Sequence, residues 1–350
     1  MPQFRGALLA SFSLFFAVGQ LFLAVGLKIL EDTAPLKFRN IFYSEFVLFG
    51  LWLIPMVYLP ESPGSHILYY SDDKESDKRI QYGYDVDHEY DVIKYEANES
   101  TRIQLQSGNT EWRAFFTRTN MKRTTISTLP FTMQNFGGAP LFFNCATYFF
   151  SLAQLDDPFL GNLIIQLVLV AGIISSFYLV DKTGRRTLVL IGGAFMSLFC
   201  FIVGGLGFLT PNAATGSALV ALSSVWAFTY AISVAPIGWI SLVEVSSPLF
   251  RAKTTALASI IQSASGVLFN YTVPLMLSNQ NADWGQKIGL FFGGISVIYM
   301  TPVFFMFPET KGRTYQELDE LFERRVKAWN FAETETSHQR SVDARLGHAS

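Results

Sequence analysis

The charges of this chain are segregated. Seven stretches contain no Asp, Glu, Lys or Arg (7–27, 46–60, 124–155, 158–180, 187–243, 254–282 and 288–308), and together they hold 198 of the 350 residues. All 54 charged residues sit in the other 152. A helix on the surface of a soluble protein interleaves charge with a period near 3.6. Uncharged runs of this length exclude that arrangement and predict an all-α, multi-spanning membrane protein.

About 20 mostly apolar residues cross the hydrocarbon core. Stretches 7–27, 158–180 and 288–308 each fit one crossing, and a fourth lies at about 41–60, ending at Pro60. Stretch 124–155 predicts one long helix from about 127 to 152. The run 187–243 predicts two, separated by the turn Leu209-Thr210-Pro211-Asn212-Ala213-Ala214-Thr215-Gly216. Stretch 254–282 predicts one, ending near Pro274 to Ser278. The total is eight.

Lys and Arg in the loops set the orientation. With Met1 inside, the inner segments carry Arg5, nine basic residues in 61–123, then Lys182, Arg185, Arg186, Arg251, Lys253 and a basic tail. The outer loops carry only Lys28, Lys37, Arg39 and Lys287. Both termini are expected in the cytoplasm, which leaves the sequon at Asn98 unglycosylated. The apolar run after Arg5 is too long for a signal peptide, with no persuasive cleavage site before Lys28.

Charge of both signs and a net charge of −2 give no basic patch, so no nucleic-acid partner is expected. Cys145 and Cys200 fall inside uncharged stretches, and His66, His88, His338 and His348 outside them. No metal, cofactor or disulfide framework is expected. The uncharged stretches also hold no acid–base residue and no visible base partner for either cysteine, which argues against an intramembrane enzyme.

An internal repeat is visible. Phe4-Arg5-Gly6-Ala7 opens the first span, and the second ends at Pro60-Glu61-Ser62-Pro63-Gly64. Phe250-Arg251-Ala252-Lys253 opens a later span, and the next ends at Pro308-Glu309-Thr310-Lys311-Gly312. Four spans precede the second copy and none the first. Repeated halves with a binding site between them are the plan of many secondary transporters.

Four motifs in order, Pro60-Glu61-Ser62-Pro63, Val180-Asp181-Lys182-Thr183-Gly184-Arg185-Arg186, Pro236-Ile237-Gly238-Trp239 with Glu244, Pro248 and Arg251, and Pro308-Glu309-Thr310-Lys311-Gly312-Arg313-Thr314, resemble the sugar porters of the major facilitator superfamily, fungal sugar and α-glucoside permeases in particular. The resemblance covers nearly the whole chain and implies a partial major facilitator fold of about eight transmembrane helices, equivalent to helices 5–12 of twelve. Residues 1–60 would be the last two helices of the N-terminal half and 61–126 the cytoplasmic linker. Residues 127–308 would be the six-helix C-terminal half and 309–350 a cytoplasmic tail.

It implies transport of a mono- or disaccharide, α-glucosides included, by alternating access, with protons as the coupling ion of a full-length form. The lipid bilayer, of the plasma membrane, is the other partner. Little or no transport is expected of these residues alone, and a non-transporting sugar sensor or regulatory subunit is the alternative.

For sugar contact the resemblance singles out Gln20, Gln134, Asn135, Trp239 and Asn270, amides and an aromatic suited to hydroxyls and a pyranose face. For a cytoplasmic gate it singles out Arg5, Glu61, Asp181, Gly184, Arg185, Arg186, Glu244, Arg251 and Glu309, with Asp181 able to cap the helix that follows Gly184. Pro140 stands where the family often has Asn, Gly64 where Arg or Trp is common, and Leu275 where many fungal relatives show Tyr. Segments 90–106 and 111–123 are expected as amphipathic helices. Residues 315–331 are expected as one helix with Leu318, Leu321 and Phe322 on one face, and 332–350 as disordered.

Overall fold

A computed structural model describes residues 5–33, 39–58 and 115–336, apart from 211, 248, 249, 279, 281, 314, 325, 332 and 333. Expectations for Glu61, for 90–106 and for the last fourteen residues lie outside these. The chain divides into two units, Ala34–Thr117 and the remainder. Within the first, residues Arg39–Tyr58 form helix α2, which takes in 41–58 of the span anticipated at 41–60.

The other unit begins with α1 (Arg5–Thr33). It continues with α3 (Arg118–Phe136), α4 (Ala146–Leu152), α5 (Pro158–Thr183), α6 (Arg185–Leu206), α7 (Ala213–Ile232), α8 (Val234–Glu244), α9 (Arg251–Leu277), α10 (Ile288–Met306) and α11 (Tyr315–Glu323). Six stretches among the described residues are long and apolar enough to cross a membrane, with α7 and α8 counted as one. In the second copy of the repeat, α9 opens on Arg251 and α10 ends two residues before Pro308.

Local chemistry sets the breaks. Asp157 caps α5, its Oδ1 accepting from the Leu160 N–H at 2.9 Å, with Pro158 at the first helical position. Asn212 and Thr215 form a reciprocal capping box at α7, within the turn expected at 209–216. Ser233 interrupts the α7–α8 crossing three residues before Pro236, whose nitrogen cannot donate to a helical ladder.

Two expectations are corrected. The helix predicted at 127–152 starts earlier, at Arg118, so residues 118–123 belong to it and not to a separate surface helix. It then breaks after Phe136, at Gly137-Gly138, and runs through a π-helical turn at Pro140–Asn144 before α4 resumes. Gly138 sits at φ +108, which L residues avoid, and Pro140 opens the wider turn. The tail helix stops at Glu323 instead of reaching 331, and a 3-10 turn follows at Ala328–Asn330. Its apolar face behaves as anticipated: Leu318 and Leu321 are buried, with Phe331 folded back onto them.

α3 lies at the centre, in contact with α8, α9 and α10, while α5 and α6 each pack on α7. The core is rich in Phe142, Phe149, Phe150, Trp226 and Phe292, all fully buried. Large apolar side chains such as Tyr178, Val267 and Ile298 point outward, as a lipid-solvated surface requires.

α1 packs on α5 and α8. At its end, Lys28 Nζ lies 2.6 Å from Asp157 and 2.9 Å from Asp32, and it also reaches Glu31 at 3.1 Å. The Lys28 ammonium holds the Asp157 carboxyl below the usual carboxylate range. A carboxyl with a depressed folded pKa stabilises the fold above its unfolded value of about 3.9 and loses that contribution as pH falls through the folded pKa. Asp157 is partly exposed, so the effect is screened. Melting temperature should fall more steeply between neutral and acid pH in the native chain than in Asp157→Asn, which keeps the cap oxygen and loses the charge. Identical pH profiles would refute the contact.

Candidate functional site

Six elements, α1, α3, the π turn, α5, α7 and α8, converge with α9 on a cavity of about 330 Å³, at the lower end of small-molecule sites. Gln20 enters from α1, Gln134 from α3, Tyr230 from α7, Trp239 from α8 and Gln262 from α9. Ser13, Ser259 and Ser263 add hydroxyls, and Phe16, Phe131 and Phe143 add ring surface. None of the described lining residues carries a formal charge.

The amides decide what this cavity can do. Gln134 Oε1 accepts from the Tyr230 hydroxyl at 2.9 Å, while its Nε2 is buried with no partner among the described residues. Gln20 Oε1 and Gln262 Oε1 are likewise buried and unpartnered. Buried polar atoms are normally satisfied, and leaving one unpaired costs about 1–3 kcal/mol. One donor and two acceptors in the same uncharged cavity match a ligand bearing several hydroxyls. Trp239 supplies a ring face, held edge-on by Phe131 at 4.6 Å between centroids and tilted against Phe12 at 4.4 Å.

Gly238 makes the Gln134 position possible. A Cβ there would lie 2.5 Å from Gln134 Nε2 and 3.2 Å from the Phe131 Cα, so α8 approaches α3 this closely only with glycine between Ile237 and Trp239.

Of the five residues singled out for sugar contact, the structure brings Gln20, Gln134 and Trp239 together in the cavity. Asn135 and Asn270 are not among its lining residues. Asn135 donates from Nδ2 to the Gln262 carbonyl and to Ser265 Oγ, both at 2.8 Å, and so fastens α3 to α9. Asn270 Oδ1 accepts from Asn144 at 2.7 Å. Replacement of Asn135 by alanine is therefore expected to destabilise the fold by about 1–2 kcal/mol. Ligand affinity should change less than about threefold, since under 1 kcal/mol then separates the two sites. Thermal unfolding and a binding titration on the same sample check both halves.

Sequence reasoning passed over Gln262. The signal was present: Ser259, Gln262, Gly266 and Asn270 recur every three or four residues in an uncharged span, a polar stripe on one helix face with Ser263 beside it.

At the other motifs a second cluster forms. Arg185 is buried, with Nη2 3.4 Å from Glu244 Oε1, and Thr310 Oγ1 donates to Glu244 Oε2 at 2.7 Å. Glu309 takes a role different from side-chain ion pairing. Its Oε1 accepts from the backbone N–H of Arg185 at 2.9 Å and of Thr310 and Lys311 at 3.1 Å, and its Oε2 from that of Arg186 at 3.1 Å. A carboxylate 124 residues away thus caps α6, where the positive end of the helix dipole favours it. The cap was anticipated from Asp181, whose side chain lies outside the described residues, as does that of Arg5.

Arg186 turns the other way and donates to the carbonyls of Phe304, at 2.7 Å, and Phe307, tying α6 to the end of α10. Gly184 is at φ +96 in the turn between α5 and α6, and Arg251 is half-buried at the start of α9.

Residues 1–322 match the profile of a family described as "Sugar (and other) transporter". The high-affinity hexose transporter ght4 of Schizosaccharomyces pombe is 26% identical over all of this chain and 63% of its own length. The general alpha-glucoside permease of Saccharomyces cerevisiae is 33% identical over 67% of this chain and 39% of its own length. The chain thus spans less than two thirds of these relatives. Among solved structures, the proton:xylose symporter XylE bound to 6-bromo-6-deoxy-D-glucose matches with TM-score 0.69 at 19% identity, over 91% of this chain and 67% of that one. Partially occluded, inward-open XylE from E. coli matches with TM-score 0.71 at 19% identity, over 90% of this chain and 66% of that one. The fold is a partial major facilitator fold.

Proposed function

We propose, from the premise that this chain belongs to the sugar (and other) transporter family, that its cavity binds an uncharged mono- or disaccharide within an alternating-access porter. The observation that carries this reading is the set of three buried, unpartnered amide atoms of Gln20, Gln134 and Gln262 beside Trp239. Sugar hydroxyls both donate and accept, so they pair with the two acceptors and the donor, while an apolar pyranose face packs on the indole. The uncharged lining disfavours a sugar acid, whose carboxylate would be desolvated without a counter-charge.

Arg185, Glu244 and Glu309, with Gly184, Arg186, Asp181 and Arg251 beside them, form the C-terminal part of the inner gate, and Arg5 and Glu61 belong to its N-terminal part. Residues 61–117 link the two halves, and both termini face the cytoplasm, in the plasma membrane. Proton coupling, if the whole transporter uses it, relies on a carboxylate outside the seven uncharged stretches.

The test is tryptophan fluorescence of the purified 350-residue chain, titrated with hexoses and α-glucosides and with gluconate as the charged control. Saturable quenching by an uncharged sugar, lost in Trp239→Phe, is the expected result. No saturable response to any sugar would sink the reading. Uptake into transport-deficient yeast by these residues alone is expected at background, because they supply only part of what the relatives contain. Saturable uptake would show instead that they suffice.

A further inference from the structure

We propose that a cleft between the start of α3, the end of α10 and the tail binds an anionic phospholipid of the bilayer. The cleft encloses about 710 Å³. Arg118, Lys122 and Ile126 recur at every fourth position and so share one face of α3. The first two place positive charge on its rim, and the third begins an apolar wall. Lys327 lines it from the tail, with Nζ 5.4 Å from the Trp329 ring centroid.

No carboxylate is among the described lining residues, and among the described residues none of these three cations is ion-paired. The chain treats its neighbouring cation differently. Arg123, one residue after Lys122, is paired with Asp319 and donates to the Val245 and Ser246 carbonyls.

The rest of the lining selects the occupant. Phe305, Met306 and Phe322 make the wall apolar. Phe305 is 56% exposed and Trp329 48%, so the cleft opens where α10 meets lipid. α10 ends at Met306, at the close of an uncharged stretch, which is the level of the headgroups. A soluble anion would use the three cations and leave the wall unused. A phospholipid uses both: its phosphate meets Arg118, Lys122 and Lys327, and an acyl chain lies along Phe305 and Trp329. A net anionic headgroup is favoured over a zwitterionic one, whose ammonium would meet the same cations. This inference rests on the membrane-spanning reading and not on sugar binding, so either can fail alone.

Native mass spectrometry of the full chain, with phosphatidylserine or phosphatidylinositol competing against phosphatidylcholine, tests it. Each basic residue at an anionic surface contributes about fivefold, so three predict a preference on the order of a hundredfold, falling as salt is raised. Combined Arg118→Gln, Lys122→Gln and Lys327→Gln should abolish the preference. Combined Arg118→Lys, Lys122→Arg and Lys327→Arg should keep it. If the neutralised variant does not fold, the salt dependence of the native chain still decides. Equal retention of anionic and zwitterionic lipid by the native chain overturns the proposal. So does equal displacement by soluble inositol phosphate, which would mark a site for free anions. A disulfide between Lys122→Cys and Asp91→Cys that forms in bilayers and blocks lipid retention would assign the cleft to the chain's own linker and overturn it too.

Discussion

Gly184→Ala is expected to unfold the cluster at the ends of α5 and α6 and to lower thermal stability substantially. Two costs combine. At φ +96 and ψ 153 the residue occupies a region that is essentially restricted to glycine, where a side chain costs about 1–3 kcal/mol. The new Cβ would also stand 2.6 Å from Glu309 Oε2. That carboxylate cannot retreat without releasing backbone N–H groups of Arg185, Arg186, Thr310 and Lys311, and hydrogen bonds to charged groups are worth about 1.5–3 kcal/mol each. The sum is about 3 kcal/mol or more, read as a fall in melting temperature of the purified chain. Glu309→Gln should fall between Gly184→Ala and the native chain, because it keeps one acceptor oxygen and loses the charge at the helix terminus. A Gly184→Ala chain that melts with the native one would disprove the capping role of Glu309.

The prediction also shows where sequence reasoning reaches its limit. The uncharged stretches locate the helices of the bundle because apolar length is a local property, and the capping residues Asp157 and Asn212 mark starts for the same reason. The Gly184 turn was legible as well. That Glu309 fills it was not, because a partner 124 residues away leaves no local trace. The break after Phe136 was missed although Gly137, Gly138 and Pro140 signal it, since the uncharged run continues through the break and hydropathy averages over it. At the cavity, Gln20, Gln134 and Trp239 were readable as polar or aromatic residues in motif context. Asn135 was readable in the same way, yet a shift of one residue rotates a helical side chain by about 100°, and α9 claims its amide. Only packing distinguishes the two.

Gln134→Ala is expected to weaken sugar binding by about 10- to 100-fold, the largest effect of any single cavity substitution. The amide stands between two groups that cannot replace it. Its Oε1 accepts from the buried Tyr230 hydroxyl, and its Nε2 is a buried donor with no partner among the described residues, where Gln20 and Gln262 leave acceptors. Truncation removes a donor to the sugar and strands the phenol. A missing hydrogen bond in a site built to read hydroxyls costs about 1–3 kcal/mol, which sets the fold-change. Tyr230→Phe separates the two contributions. It removes the hydroxyl from which Gln134 Oε1 accepts and leaves the Nε2 donor in place, so it should lose stability while retaining most of the affinity that alanine loses. Gly238→Ala should imitate Gln134→Ala on binding, because the added methyl occupies the space of Nε2 with the amide chemically intact. Titration of the three variants with the sugar that the native chain binds best is the measurement. Native affinity in Gln134→Ala would show that the amide is an internal tie between α3 and α7, and the sugar contact would then have to be sought at Gln20 and Gln262.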